Sequence, residues 1–186
     1  MKFLALTLLL STSWAWATSV VIETNMGVME VELNDTAAPI TVENFLSYVD
    51  AGFYTQTLFH RTIKNFVIQG GGLNLDMSER PTNSPIRNEA TNGLSNLRGT
   101  IAMARTEVLD SATSQFYINT VDNIRLNHQP GNPSRYGYAV FGQITRGLEV
   151  VDAIQDVATH TVGDYANTPI QPVVILAISR TSGEQN

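Results

Sequence analysis

The chain has 186 residues, and its 17 acidic side chains outnumber its 11 basic ones, giving a formal net charge of −6. This acid excess, with the basic residues scattered along the chain, argues against a nucleic-acid-binding protein. The sequence contains no cysteine, so disulfides, thiol nucleophiles and thiolate metal sites are excluded as well.

The first 17 residues have the pattern of a secretory signal peptide. Lys2 precedes an apolar run over residues 3–10, and Ala15, Trp16 and Ala17 form a small-x-small cleavage site. The run is shorter than the ~20 residues that a membrane-spanning helix needs, which disfavours the alternatives of an uncleaved anchor or a buried first helix. Cleavage after Ala17 would leave residues 18–186, a length that suits a single domain.

Two amphipathic helices are predicted. The first lies between residues 35 and 52, with Thr41 and Asn44 as a weak cap and Gly52 as a stop. Its apolar residues have the i, i+3, i+4, i+7 spacing of one buried face: Val42, Phe45, Leu46 and Val49. The second helix starts near Gly147 and repeats that spacing at Val150, Ala153, Ile154 and Val157.

The other periodic segments are short strands bounded by turn residues. They cover residues 20–24, 28–33, 58–63, 66–69, 100–104, 115–119, 140–144 and 173–179. Many short strands with Gly and Pro turns are typical of a closed barrel or a sandwich, and two amphipathic helices suit the open ends of a barrel. We therefore predict a mainly β protein with a barrel of about eight strands.

Several kinds of catalytic site lack their usual sequence pattern. The three histidines, His60, His128 and His160, are far apart and do not have the spacing that places two metal ligands on one helical face. The segment around Ser95 lacks the second glycine of a nucleophile elbow, and no glycine-rich loop precedes a Lys-Ser or Lys-Thr pair. The sequence therefore predicts neither a metal site, nor a serine hydrolase, nor a nucleotide-binding loop.

The most informative segment covers residues 59–72, where Arg61 lies among apolar strand residues and the run ends in three glycines. A guanidinium is always charged, so in a partly apolar site it must either be paired with hydrogen-bond acceptors or have a functional role. Gln69 and Gln115 also lie on predicted strands, with apolar and aromatic residues nearby: Phe66, Val67, Tyr117 and Leu126. Such a set can hold an apolar ring beside a peptide bond, but it offers no activated nucleophile to cleave that bond.

Four segments stand in the order and spacing seen in cyclophilins: residues 59–71, 99–104, 114–116 and 140–142. The chain resembles a cyclophilin-type peptidyl-prolyl cis-trans isomerase from about residue 20 to residue 179. The resemblance implies a closed eight-stranded antiparallel barrel capped by two α-helices, with the active groove on its outer surface. The run 103–106 and the exported start resemble the bacterial periplasmic branch, which implies the periplasm of a Gram-negative bacterium, with secretion as the alternative.

The resemblance also assigns roles to individual residues. It implies that Arg61 is catalytic and that the proline pocket is formed by Phe66, Val67, Tyr117 and Leu126. The residues implied to hold the flanking peptide are Gln69, Ala104, Arg105 and Gln115, with a strand-like contact at the backbone of Arg105. Tyr138 takes the position of the usual pocket histidine. No metal or cofactor is implied, and strand alternation should point His60 away from Arg61.

The expected partners are proline-containing peptides and exported proteins that are still folding, bound by a monomeric chain without a membrane span. Arg125 stands where eukaryotic members have the tryptophan that favours cyclosporin, so weak cyclosporin binding is expected.

Two other functions stay open at the level of sequence. The domain could bind prolyl peptides as a chaperone or scaffold without essential catalysis, or the barrel could carry an apolar ligand in its interior.

Overall fold

The computed structural model describes residues 18–181 of the chain, so the predicted signal peptide lies outside the described residues. Within this range, no helix has both the length and the apolar character needed to cross a membrane. The helices are α1 (Pro39–Asp50) and α2 (Leu148–Gln155). The strands are β1 (Ser19–Thr24), β2 (Gly27–Leu33), β3 (Thr57–Leu58), β4 (Arg61–Ile63), β5 (Val67–Gly70), β6 (Thr100–Met103), β7 (Phe116–Asn119), β8 (Val140–Arg146), β9 (Thr159–Val162), β10 (Tyr165–Pro169) and β11 (Val174–Arg180).

Nine of these strands form one antiparallel sheet in the order β3-β11-β1-β2-β8-β6-β7-β5-β4. Its outermost strands, β3 and β4, are separated along the chain only by Phe59 and His60. Just after β5, the amide of Gly71 donates to the carbonyl of Leu58, and the amide of Leu58 donates to the carbonyl of Leu73. These bonds join the two edges of the sheet. Because β3 and β4 are halves of one interrupted strand, the predicted eight-stranded barrel with two helices is confirmed.

The interior of the barrel is filled with side chains. Alternate residues of β1 and β2 are buried there, as strand periodicity requires. Phe45 of α1 closes one end, with its ring centroid 5.3, 5.7 and 5.2 Å from those of Tyr54, Phe116 and Phe141. These four side chains are almost completely buried. The packed interior excludes the alternative of a carrier that holds an apolar ligand inside the barrel.

The first backbone amides of α1 are satisfied by a distant side chain rather than by the N-cap residue. Ala38 is the N-cap residue and supplies no side-chain hydrogen bond. Glu89, in the long loop between β5 and β6, instead accepts from the amides of Ile40 (3.2 Å) and Thr41 (2.8 Å) and from the Thr41 hydroxyl (2.7 Å). A carboxylate there complements the positive end of the helix dipole. The predicted cap of Thr41 with Asn44 is therefore wrong, since both residues lie inside the helix.

The rest of the helix and strand pattern follows the prediction with two corrections. α2 begins after Gly147 as predicted, but its buried residues are Val150, Val151 and Ile154, whereas Ala153 is exposed. The hairpin of β9 and β10 was not predicted. Most of its residues are exposed, so it has no alternation of apolar and polar side chains to reveal a strand.

We expect Gly70→Ala to destabilise the barrel where its edges meet. A Cβ at Gly70 would lie 2.6 Å from the carbonyl oxygen of Leu58, and backbone at that junction cannot move without disturbing the closing hydrogen bonds. The cost should be about 1–3 kcal/mol, as for overpacking elsewhere, and urea unfolding would measure it.

Gly72→Ala is the matched control, because it adds the same methyl group two residues away. There the new Cβ would meet the side chain of Gln115, at 2.4 Å from its Cγ, and a flexible side chain can move aside. Equal unfolding free energies for the two variants would show that the junction at Leu58 is not tight.

Candidate active site

One row of side chains crosses the outer face of four strands. In the register of the sheet, Arg61 of β4 faces Gln69 of β5, Gln69 faces Tyr117 of β7, and Tyr117 faces Ala102 of β6. Their neighbours along the strands point inwards, as Ile68 does from β5. Because alternate residues share one face of a strand, the row lies on the side of the sheet opposite the core.

The polar end of this row is a chain of hydrogen bonds. Arg61 donates through Nη1 to Oε1 of Gln69 at 3.2 Å, and Gln69 donates through Nε2 to Oε1 of Gln115 at 3.0 Å. Gln115 lies directly against the backbone of Gly72, where any Cβ would collide with it. The structure thus brings together Arg61, Gln69 and Gln115, which the sequence predicted as site residues, and the third glycine of the motif makes room for them.

The apolar part of the site is a cluster separate from the main core. Its buried members are Val67, Ala102, Tyr117 and Val140, and the partly buried members packed against them are Phe66, Leu94, Ala104, Leu126 and Tyr138. All the apolar residues predicted for the site are in this cluster, which we call the outer cluster. Ala102, Val140 and Leu94 belong to it without having been predicted as site residues, because each could equally well have faced the core.

The hydroxyl of Tyr117 has a buried partner. It donates to Oδ1 of Asn96 at 2.7 Å, and Asn96 is itself completely buried. Burial raises the pKa of Tyr117 well above its usual range, with a smaller contribution from Tyr138 in the same direction, so the hydroxyl stays protonated and keeps donating. The Tyr117 ring meets Tyr138 edge-on, with ring centroids 5.8 Å apart, so the hydrogen bond and the ring contact together hold this wall of the cluster.

A network of asparagines below the outer cluster was missed by the sequence analysis. Asn119 donates to Oδ1 of Asn96 at 3.2 Å, and Asn123 donates to Oδ1 of Asn119 at 2.8 Å. Asn123 also donates to the backbone carbonyl of Phe66 at 2.8 Å, and Asn96 donates to Asn127, which follows Leu126. The network therefore fixes the backbone of Phe66 and holds the side chain of the residue next to Leu126. An asparagine-rich sequence between strands was the available signal, but it indicates a loop as readily as a buried network.

Two further arginines lie against aromatic rings of the outer cluster. The guanidinium carbon of Arg105 is 4.7 Å from the ring centroid of Tyr138, and that of Arg125 is 4.5 Å from the ring centroid of Phe66. Arg105 is also held by a hydrogen bond from its Nε to the carbonyl of Gly137 at 3.1 Å. Every residue predicted for the site is therefore found on or beside one surface of the barrel.

His60 lies beside Arg61 in the chain but packs elsewhere. Its ring is 3% exposed and meets the ring of Tyr165, in the hairpin of β9 and β10, edge-on at 5.9 Å between centroids. Burial, and to a lesser extent the charge of Arg61, lowers the pKa of His60 to about 4. This position agrees with the expectation that His60 points away from Arg61. Among residues 18–181, the histidines and acids form no group of three or more that could hold a metal ion.

Comparison with known proteins decides the family. The sequence model of the family described as cyclophilin type peptidyl-prolyl cis-trans isomerase/CLD matches residues 19–180. The chain is a cyclophilin-type peptidyl-prolyl cis-trans isomerase. The resemblance noted from the four sequence segments is confirmed, and so is the enzyme class.

Bacterial cyclophilins are similar over most of their length. Peptidyl-prolyl cis-trans isomerase A of Dickeya dadantii is 52% identical over 86% of this chain and 82% of its own. A peptidyl-prolyl cis-trans isomerase of Acinetobacter baylyi is 51% identical over 92% of this chain and 89% of its own. Peptidyl-prolyl cis-trans isomerase B of Escherichia coli is 46% identical over 86% of this chain and 98% of its own.

Solved structures show the same cyclophilin architecture. A cyclophilin-type peptidyl-prolyl cis-trans isomerase of Cryptosporidium parvum superposes with a TM-score of 0.73 at 27% identity, over 90% of this chain and 99% of its own. A second structure of that protein, determined in the presence of the dipeptide Ala-Pro, gives a TM-score of 0.72. The fold and the reaction are thus established together.

The position of His60 predicts how stability depends on pH. Its pKa is about 4 in the folded protein and about 6.5 in an unfolded chain. Between these two pH values the imidazole of His60 is therefore protonated in the unfolded chain and neutral in the folded protein. Stability should therefore fall as the pH drops from about 6.5 towards 4, by an amount on the order of 3 kcal/mol from this group alone. Urea unfolding at several pH values between 4 and 7 measures it.

His60→Gln should flatten this part of the stability profile, whatever its effect on stability at pH 7. The exposed His160 supplies the matched control His160→Gln, since its ring is not withdrawn from water in the same way. A His60→Gln profile parallel to that of the unsubstituted protein would contradict the assignment.

Proposed function

We propose that Arg61 is the catalytic residue and that the outer cluster, next to it, receives the proline ring of a peptide substrate. The observation that carries the proposal is the hydrogen-bonded row of Arg61, Gln69 and Gln115, which borders an apolar surface on the outside of the barrel. A cation held beside an apolar surface suits a substrate that has a ring and an amide but no charge at the bond that rotates.

The chemistry follows from the electronic structure of the amide. Rotation about a peptide bond has a barrier of about 18–20 kcal/mol because resonance gives the C–N bond partial double-bond character. In the twisted state the nitrogen lone pair is localised and can accept a hydrogen bond, whereas in the planar state it cannot. Arg61 uses one nitrogen to bind Gln69 and retains further N–H donors for that lone pair. Such a bond exists only near the transition state, so it lowers the barrier without tightening ground-state binding.

The other predicted residues would bind the substrate. Phe66, Val67, Tyr117 and Leu126 would surround the proline ring, while polar groups and backbone at Gln69, Ala104, Arg105 and Gln115 would hold the flanking peptide, with Tyr138 at one wall. The relative from Cryptosporidium parvum, studied with Ala-Pro, supports prolyl peptides as ligands. Weak cyclosporin binding remains our expectation, since Arg125, which places a charged guanidinium over Phe66, stands where eukaryotic members have the tryptophan that favours cyclosporin.

We further propose that the substrates are exported proteins that are still folding. The support is the signal-peptide pattern of residues 1–17, together with the similarity to bacterial isomerases. Cleavage after Ala17 would leave a monomeric cyclophilin domain over residues 18–186, in the periplasm of a Gram-negative bacterium or, alternatively, outside the cell. Catalysis at a prolyl bond would matter there because uncatalysed isomerisation takes tens to hundreds of seconds.

Replacing Arg61 tests the catalytic assignment. Arg61→Ala should reduce kcat/KM on a short prolyl peptide by roughly 10² to 10³, as expected when a donor to the transition state is lost. Arg61→Lys should recover only part of this, because an ammonium keeps the charge but lacks the planar fork of donors. A protease-free isomerisation assay, with unfolding curves to verify that the variants fold, measures both.

Arg146→Ala is the matched control, since that arginine is largely exposed and pairs with Glu30 on another part of the barrel. Unchanged turnover in Arg61→Ala would remove Arg61 from the mechanism. If Arg61→Ala lost turnover yet still prevented aggregation of an unfolded exported protein, a chaperone activity independent of catalysis would be present as well.

The export proposal has a separate test. When the full chain is expressed in a Gram-negative host, the protein in the periplasmic fraction should begin at Thr18, as shown by its intact mass. Ala17→Asp should block processing, because the cleavage site requires a small residue at that position. A periplasmic or cytoplasmic protein that still begins at Met1 would contradict the proposed cleavage.

A further inference from the structure

Three guanidinium groups border the outer cluster in a protein whose net charge is negative. Arg61 stands in the hydrogen-bonded row, Arg105 lies over Tyr138, and Arg125 lies over Phe66. The formal net charge of the chain is −6, so a local excess of positive charge here runs against the composition as a whole. A substrate groove with such a charge can select among peptides.

None of the three forms an ion pair with a carboxylate in the described part of the chain. The ion pairs formed between residues 18 and 181 use other cations: Lys64, Arg98, Arg146 and Arg180. Glu107 shares a surface pocket with Arg105, yet the two are not within ion-pair distance. The guanidinium of Arg125 makes no hydrogen bond to another described residue, so its donors remain available to a ligand.

The backbone contacts beside Arg105 and Arg125 lie at opposite ends of β7. Arg125 lies over Phe66, whose carbonyl accepts from the amide of Thr120, just beyond the end of β7. Arg105 follows Ala104, whose amide donates to the carbonyl of Gln115, just before the start of β7. These two levels are five residues apart along an extended strand, or roughly 17 Å. The backbone of an extended peptide covers about 13 Å between the second residue before its proline and the second residue after it, and two long acidic side chains extend that reach to both ends.

We infer that this isomerase prefers prolyl segments with an acidic side chain on each flank, about two residues before and two residues after the proline. The inference rests on the proposed binding groove and extends it to substrate choice. Arg105 and Arg125 would each meet one carboxylate, whereas Arg61 stays directed at the rotating bond. Stacking on an aromatic ring leaves the edge of the Arg125 guanidinium free to bind an anion. Arg105 donates from Nε to Gly137 and from Nη1 to Thr106, so Nη2 is the nitrogen that would bind its anion.

The size of the effect should be modest because both sites face water. Two unit charges 4 Å apart interact weakly in water, which corresponds to a few-fold change in binding for each contact. We therefore expect kcat/KM for a peptide with Glu on both flanks to exceed that for its Lys counterpart by about threefold to tenfold at low salt. In 1 M NaCl the Debye length falls to about 3 Å, so the ratio should approach one.

The experiment measures kcat/KM for four peptides with the same central prolyl bond. They carry Glu on both flanks, Glu only before the proline, Glu only after it, or Lys on both flanks. Arg125→Glu should remove the advantage of Glu on one flank and leave it on the other, because Arg105 still serves the second flank. Arg146→Glu, which makes the same change in net charge outside the groove, should leave all the ratios unaltered.

Two results would overturn the inference. One is a Glu-to-Lys ratio near one in the unsubstituted protein at low salt. The other is a ratio that Arg125→Glu and Arg146→Glu change equally, since the preference would then follow net charge rather than the groove. The catalytic proposal is tested separately through the Glu-flanked peptide, because loss of turnover in Arg61→Ala is independent of the ratio between peptides.

Discussion

The structure depends most on how side chains alternate between two faces in three short strands, β5, β6 and β7. Each is only four residues long, and alternate side chains must serve opposite faces. Ile68, Ile101 and Ile118 fill the barrel, while Val67, Ala102 and Tyr117 build the outer cluster. A shift of register by one residue would exchange these two sets and destroy the core and the groove together. The same packing energy that stabilises the barrel therefore also positions the site.

The polar side chains beside the outer cluster are held in place by direct hydrogen bonds. Gln69 is satisfied on both sides, by Arg61 and Gln115, and the Tyr117 hydroxyl is satisfied by Asn96. Because buried polar groups cost free energy when they lack partners, each of these bonds disfavours alternative side-chain positions. A groove whose dipoles are already oriented needs little reorganisation when the charge distribution of a substrate changes, which is the condition for electrostatic catalysis.

Much of this arrangement could be predicted from sequence because it is local. The motif from Phe59 to Gly72 and the strand periodicity specify the row of Arg61 and Gln69, and the family resemblance supplies the other side of the groove. The cap of α1 could not be predicted, since Glu89 reaches the helix from a loop about 50 residues away in the chain. The asparagine network and the exposed hairpin of β9 and β10 were missed for a related reason. Their polar residues have no periodicity, and only tertiary contacts give them a role.

The placement of the site on the outer face has an electrostatic consequence. The barrel interior is filled with side chains, so the candidate site lies at the boundary with water, where interactions between charges are weaker than in a buried cavity. At 0.1 M salt, interactions between exposed charges are screened over about 10 Å. Acidic side chains on distant parts of the protein therefore contribute little to the electrostatic potential at the outer cluster. The guanidinium groups of Arg61, Arg105 and Arg125 border the outer cluster, and two of them lie over its aromatic rings. The proposed substrate choice and the proposed binding of the proline ring would thus depend on the same two side chains, Phe66 and Tyr138.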